Sequence, residues 1–167
     1  SDLGAEIDVA FINTSGVRTG LAGADDGVMT YGEIFAMQPF GNVLQVLELS
    51  GADLRAVLEE QFCGDGLAAP CFTLLAPSAT MTYAFDRSRP AGERIVEVLL
   101  DGQPLADDAR YQVVFNNFLA SGGDGFVSLA RQPTVGEAGN DLDALEAWLA
   151  RGVTIPACGR LRDVTPS

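Results

Sequence analysis

Asn116–Phe126, NNFLASGGDGF, is the stretch on which the reading of this chain turns. It follows Tyr111–Phe115 (YQVVF), a short apolar run that reads as a strand, and sets three glycines within four residues around a single aspartate. Gly122, Gly123 and Gly125 admit positive φ and close approach of other groups, so Asp124 can project its carboxylate from a tightly turned backbone. Phe118 and Phe126 bracket the turn. On these residues alone two readings stand: a ligand-binding lip at a strand end, or a turn whose phenylalanines anchor it in the core.

Working outward, the 167 residues suffice for one domain with a sizeable core, and 47% hydrophobic with 20% charged residues is an ordinary globular balance. Ten basic against 23 acidic residues give a net charge of -13, which disfavours a nucleic-acid polymer as partner. A small anion held by one or two arginines stays open. Histidine is absent, which removes the commonest general base and the commonest ligand of catalytic zinc. No Ser/His/Asp set, Cys/His pair or P-loop is present either. Cys63 and Cys71 enclose a short loop with Gly64, Asp65, Gly66 and Pro70, which reads as a disulfide-closed excursion or as two free thiols. Cys158 has no assigned partner. No run reaches the ~20 apolar residues of a membrane span.

The remaining segments are a mixture of strands and helices. Ile7–Ile12 (IDVAFI) reads as a buried strand ending at Asn13, an inward-facing amide, with Arg18 turned toward the same space. Thr30–Glu33 is a capping box for a helix through Met37 that Pro39 stops, and Phe40 then stands at a turn before the strand Val43–Leu49. Ser50–Asp53 caps a second helix whose Leu54, Val57, Leu58 and Phe62 share a face. Strands are expected over Ala79–Asp86 and over Ile95–Leu100 with Gln103–Leu105, the latter pair joined at Asp101-Gly102 as a hairpin. Asn140 caps a last helix carrying Leu142, Leu145, Trp148 and Leu149, and Val153–Val164 is expected to add a strand containing Cys158. The class is α+β, a mixed sheet with flanking helices.

Taken in order, Asn13–Arg18 (NTSGVR), Pro39–Asn42 (PFGN), Ser50–Leu54 (SGADL), Tyr83–Gly92 ending in RPAG, and NNFLASGGDGF resemble the C-terminal domain of the 5'-nucleotidase family. That family includes UDP-sugar hydrolases, 2',3'-cyclic phosphodiesterases and ecto-5'-nucleotidases. The resemblance runs from Asp8 to Arg160–Arg162. It implies a substrate-binding domain, residues 1–167, of an exported, periplasmic or extracellular phosphoesterase. Phe40 and Phe118 match the pair that sandwiches a nucleobase, Asn13 an amide near the base, Arg18 the ribose and phosphate side, and Asp124 the acceptor of ribose hydroxyls.

The resemblance further implies that no cofactor binds this chain, that two divalent metal ions belong to a separate N-terminal catalytic domain, and that a nucleoside monophosphate is the ligand. It implies a fragment without that domain and without the first helix of its own; an apolar groove is expected where that helix is missing, with dimerisation or exchange of segments as one outcome. In the family a Gly near the position of Thr80 lies close to the base, and Thr80 departs from that pattern in a way that bears on the pocket's shape and base preference. A thiosulfohydrolase of the same plan, or a non-catalytic surface module on the same fold, are the alternatives.

Overall fold

The computed structural model describes residues 6–21, 27–62, 72–152 and 158–166. Among these residues nine strands form two mixed sheets. The larger has the order β3 (Leu75–Pro77), β1 (Val9–Asn13), β7 (Arg110–Asn116), β2 (Val43–Ser50), β8 (Thr134–Asn140). β1 and β7 run parallel, and the other pairings are antiparallel. The smaller sheet has the order β6 (Gln103–Pro104), β5 (Ile95–Leu100), β4 (Met81–Phe85), β9 (Leu161–Asp163), with β4 and β9 parallel. The α+β class with mixed pairing is therefore as expected, with the strands divided between two sheets.

Local chemistry sets most of the element ends. α1 (Tyr31–Met37) and α2 (Gly51–Glu60) both open with complete capping boxes, Thr30 with Glu33 and Ser50 with Asp53. The Ser50 hydroxyl holds the Asp53 carboxyl below its ordinary range. Gly51 is required where α2 begins: a Cβ there would sit 2.1 Å from the Ala106 carbonyl oxygen. Asp101 and Gly102 take φ of 47° and 76°, the paired positive values of a tight two-residue hairpin. In α4 (Asp141–Leu149) the Asn140 side chain accepts from Leu142 N–H at 2.8 Å.

The core lies where both sheets meet α2. Phe11, Leu47, Leu49, Val113 and Phe115 from the large sheet pack with Leu54, Val57 and Leu58 of α2 and with Met81, Tyr83, Phe85 and Val98 of the small one. Phe11 and Phe115 stack at 5.4 Å. A polar node crosses this core. Gln61 Oε1 accepts from Leu75 N–H at 2.8 Å and from the Tyr83 hydroxyl at 2.8 Å, and that hydroxyl also lies 2.7 Å from the Leu75 carbonyl. The node joins β3 of one sheet to β4 of the other.

Several expectations need correction. β3 and β8 carry no clear strand signal: β3 ends on Pro77 at a sheet edge, and β8 (TVGEAGN) holds two glycines and little apolar surface. The last strand is shorter than Val153–Val164; β9 is Leu161–Asp163, and Cys158 precedes it as an exposed free thiol. Val46 and Leu47, on opposite faces of β2, are covered, whereas Val43 at its start is exposed. Thr80 bonds the Asp8 carbonyl at 2.8 Å. The Cys63–Cys71 pairing falls outside the described residues.

The node yields a stability prediction. Replacing Tyr83 with Phe removes its hydroxyl from two buried acceptors and should cost about 1–3 kcal/mol in urea unfolding at neutral pH. An unchanged midpoint would show that the node contributes nothing to stability. Burial raises the Tyr83 pKa above its ordinary 10.0, so this contribution is complete below that value and falls away as pH climbs beyond it.

Candidate functional site

The end of β1, the turn after α1 and the loop after β7 meet at one cleft of about 270 Å³. It is lined by Asn13, Arg18, Phe40, Phe118 and Asp124, the five residues singled out from sequence, together with Ser15, Gly16, Asn42 and Asn116. Its size lies just below the usual range for small-molecule sites, about 300–1,000 Å³. Thr80 is not among the lining residues, so its departure from the family's glycine does not bear on this cleft; its hydroxyl is committed to the Asp8 carbonyl and Ser78 instead.

Each functional side chain is positioned by its element. Asn13 is the last residue of β1 and is 3% exposed. The chain then makes a 3-10 turn, Thr14–Gly16, in which the Thr14 amide bonds the Leu74 carbonyl. The Arg18 amide bonds the Met37 carbonyl at 2.9 Å, which brings the NTSGVR turn beside the end of α1. There the Arg18 guanidinium lies over the Phe40 ring, 4.9 Å from its centroid. Asn42 fixes the PFGN turn to α4, its carbonyl accepting from Asp141 N–H and its amide donating to Asp141 Oδ2 at 3.1 Å.

The loop after β7 opens with α3 (Asn117–Ala120), capped by Asn116, whose Oδ1 accepts from Leu119 N–H at 2.8 Å. Phe118 on this turn is 45% exposed and Phe40 is 49% exposed, so both present ring surface at the mouth of the cleft. Phe126 is fully buried. The two phenylalanines bracketing the glycines therefore divide, one facing the cleft and one anchoring the loop. Gly123 permits this: a Cβ on it would lie 2.6 Å from the Phe118 ring and from the Phe118 carbonyl oxygen. Asp124 itself has φ 55° and ψ 16°, the left-handed region, which turns its carboxylate back toward β1.

That carboxylate is held across 111 positions of sequence. Asp124 Oδ2 accepts from Asn13 Nδ2 at 2.8 Å and from the Ser15 hydroxyl at 2.5 Å, and Asn13 Nδ2 also donates to Ser15 Oγ at 2.8 Å. Among the described residues Oδ1 has no partner, so one carboxylate oxygen is left to accept from a ligand hydroxyl. The cleft thus offers two exposed aromatic faces, one guanidinium and one oriented acceptor. Ser15, Asn42 and Asn116 were not picked out from sequence as site residues, although each lies inside a motif that was. Among the described residues no group of three or more His, Cys, Asp or Glu is arranged to hold a metal ion. Nor is any helix there long and apolar enough to cross a membrane.

A second, more apolar groove of about 270 Å³ lies beneath α4, walled by Phe11, Ile12, Leu44, Leu145 and Trp148. Asn116 lines both spaces.

Comparison with known proteins gives this geometry a context. The model of the 5'-nucleotidase C-terminal domain matches residues 3–131. Cell wall protein Lmo0130 of Listeria monocytogenes is 38% identical over 127 residues, covering 74% of this chain and 16% of that protein. The 5'-nucleotidase precursor of Thermus thermophilus superposes with a TM-score of 0.79 at 30% identity, over 96% of this chain and 32% of that one. The sulfate thiohydrolase SoxB of Thermus thermophilus shares the fold, with a TM-score of 0.69 at 21% identity over 97% of this chain and 30% of that one. The chain accordingly spans a third or less of the length of these relatives. With the match covering most of its residues and every motif around the cleft except the α4 contact, this chain belongs to the 5'-nucleotidase C-terminal domain family.

Proposed function

We propose that the cleft binds the nucleoside part of a nucleotide and that the chain is the substrate-presenting domain of an exported, metal-dependent phosphoesterase of 5'-nucleotidase type. One observation carries the reading: Phe40 and Phe118, both exposed, stand at the same cleft as a carboxylate whose free oxygen can accept from a sugar hydroxyl. The base stacks on the phenylalanines and Asp124 Oδ1 receives the ribose hydroxyls. Asn13 backs the carboxylate, with both of its amide protons committed to Asp124 and Ser15.

Arg18 has two stations in this scheme. Its contact with the Phe40 ring at 4.9 Å is worth about 0.5–1 kcal/mol where solvent reaches it, whereas stacking a base is worth about 1–3 kcal/mol. Stacking is the stronger contact, so a base arriving on that face displaces the guanidinium and frees its donor fork for the phosphate side. An anionic ligand also needs this local positive charge, because the chain as a whole carries -13.

In such an enzyme two divalent metal ions held by a separate catalytic domain would supply the activation of water and the binding of phosphoryl oxygens. This chain supplies orientation, holding the nucleoside while the other domain acts. The alternative, a hydrolase acting on a sulfur compound, draws on the fold shared with SoxB, but the two exposed rings favour a planar ligand.

Calorimetry with adenosine and AMP tests the reading: the chain binds both, and Phe118→Ala and Asp124→Ala each weaken binding about tenfold or more, without releasing phosphate from AMP when divalent metal is added. Absence of binding contradicts the nucleoside assignment, and metal-dependent phosphate release contradicts the division of labour. The groove beneath α4 is the surface through which two copies would pair. Sedimentation velocity giving a dimer mass that Trp148→Glu reduces to a monomer supports this, and a monomer mass for the unmodified chain rejects it.

A further inference from the structure

We propose that Asn116 is a positioning residue: it fixes the orientation of the Asn13 amide and, through it, the carboxylate of Asp124. The proposal rests on the nucleoside reading of the cleft for its consequence in binding, though not for its geometry. The order of donors can be read from one fixed point. Leu119 N–H is a backbone donor, and it points at Asn116 Oδ1 at 2.8 Å. Asn116 must then turn its Nδ2 the other way, where it meets Asn13 Oδ1 at 3.1 Å. Asn13 in turn presents Nδ2 to Asp124 Oδ2 and to Ser15 Oγ, each at 2.8 Å. Every amide in this series has its oxygen and nitrogen assigned by the neighbour before it.

Burial gives the series its force. Asn13 and Asn116 are 3% and 7% exposed, so water has little access to satisfy Asn13 Oδ1 if Asn116 does not. With Asn13 reversed, its carbonyl oxygen would face the Asp124 carboxylate and the Ser15 hydroxyl would be the only donor left on Oδ2. The left-handed turn at Asp124 would lose its link to β1, and the free Oδ1 would no longer be held toward the cleft. Asn116 also starts α3, which carries Phe118. One buried side chain thus places both the aromatic and the acidic component of the site.

The competing account is that Asn116 serves only as the cap of α3, and isosteric substitution separates the two. In Asn116→Asp the cap survives, because aspartate accepts from Leu119 N–H as well as asparagine does. The donor toward Asn13 becomes an acceptor, which forces the Asn13 amide to turn round. Asn116→Ser also keeps a capping oxygen without added charge, but its shorter side chain cannot at the same time reach Asn13 Oδ1.

The experiment records the side-chain amide signals of Asn13 by NMR and adenosine affinity by calorimetry for the 167-residue chain and both variants, with thermal melting as the measure of fold. The expected result is that Asn116→Asp shifts the Asn13 amide signals and weakens adenosine binding about tenfold or more, and that Asn116→Ser does so by a few-fold while still melting cooperatively, at a midpoint lowered by the unsatisfied Asn13 oxygen. Should Asn116→Asp fail to fold, Asn116→Ser carries the test alone. Unchanged Asn13 signals in the folded variants overturn the proposal. If the unmodified chain binds no adenosine, the nucleoside reading fails, and the Asn13 signals still decide whether Asn116 orients that amide.

Discussion

The buried amide of Asn13 is the constraint on which the site depends. It stands at the end of β1, between β7 and the turn that leads to Arg18, and its oxygen and both of its amide protons are used inside the protein. A buried amide left half-satisfied costs about 1–3 kcal/mol, comparable with the net worth of the contacts it would lose. Asn13 therefore ties the NTSGVR turn to the loop after β7 through Asn116 and Asp124, while the Arg18 amide on the Met37 carbonyl brings in the turn that carries Phe40.

The sheets supply the distances within which that amide works. β1 and β7 run parallel and adjacent, so their C-terminal ends emerge side by side, and the NTSGVR and NNFLASGGDGF loops begin within reach of each other. Parallel strands commonly place ligands at such ends. The third component, Phe40, comes from before β2, which pairs antiparallel with β7 and so begins where β7 ends; Leu44 stands opposite Asn116. The site is the meeting of three strand ends at one end of the central strands of the large sheet. Core packing, including the node of Gln61 and Tyr83, ties β3 of this sheet to β4 of the other.

Much of this was legible in the sequence where the cause is local. Thr30 with Glu33 and Ser50 with Asp53 announce helix starts because cap and partner lie three residues apart, and Asp101-Gly102 announces a hairpin because its backbone demands are met by those two residue types. β8 was hidden for the opposite reason. TVGEAGN forms a strand because β2 offers it an unpaired edge, and that edge is a property of the assembled sheet. The same holds for Leu75–Pro77, whose pairing with β1 is set far from its own residues. The site divides likewise. The order of motifs, matched to a family, named Asn13, Arg18, Phe40, Phe118 and Asp124, and the fold brings all five to one cleft. Composition alone could not tell Phe118 from Phe126, both flanking the same glycines; only the packing makes one exposed and the other core. Asn116 was visible merely as the first letter of a motif. Its role lies in a bond to a residue 103 positions away, which no spacing rule reports.

The central claim is that these strand ends form a nucleoside site, and a crystal structure of the chain grown with adenosine tests it most directly. The expected result is the base against the Phe40 and Phe118 rings, with a ribose hydroxyl on Asp124 Oδ1 and the Asn13 amide unmoved. A nucleoside seated elsewhere, or a base in the cleft with Asp124 turned away from it, would contradict that claim.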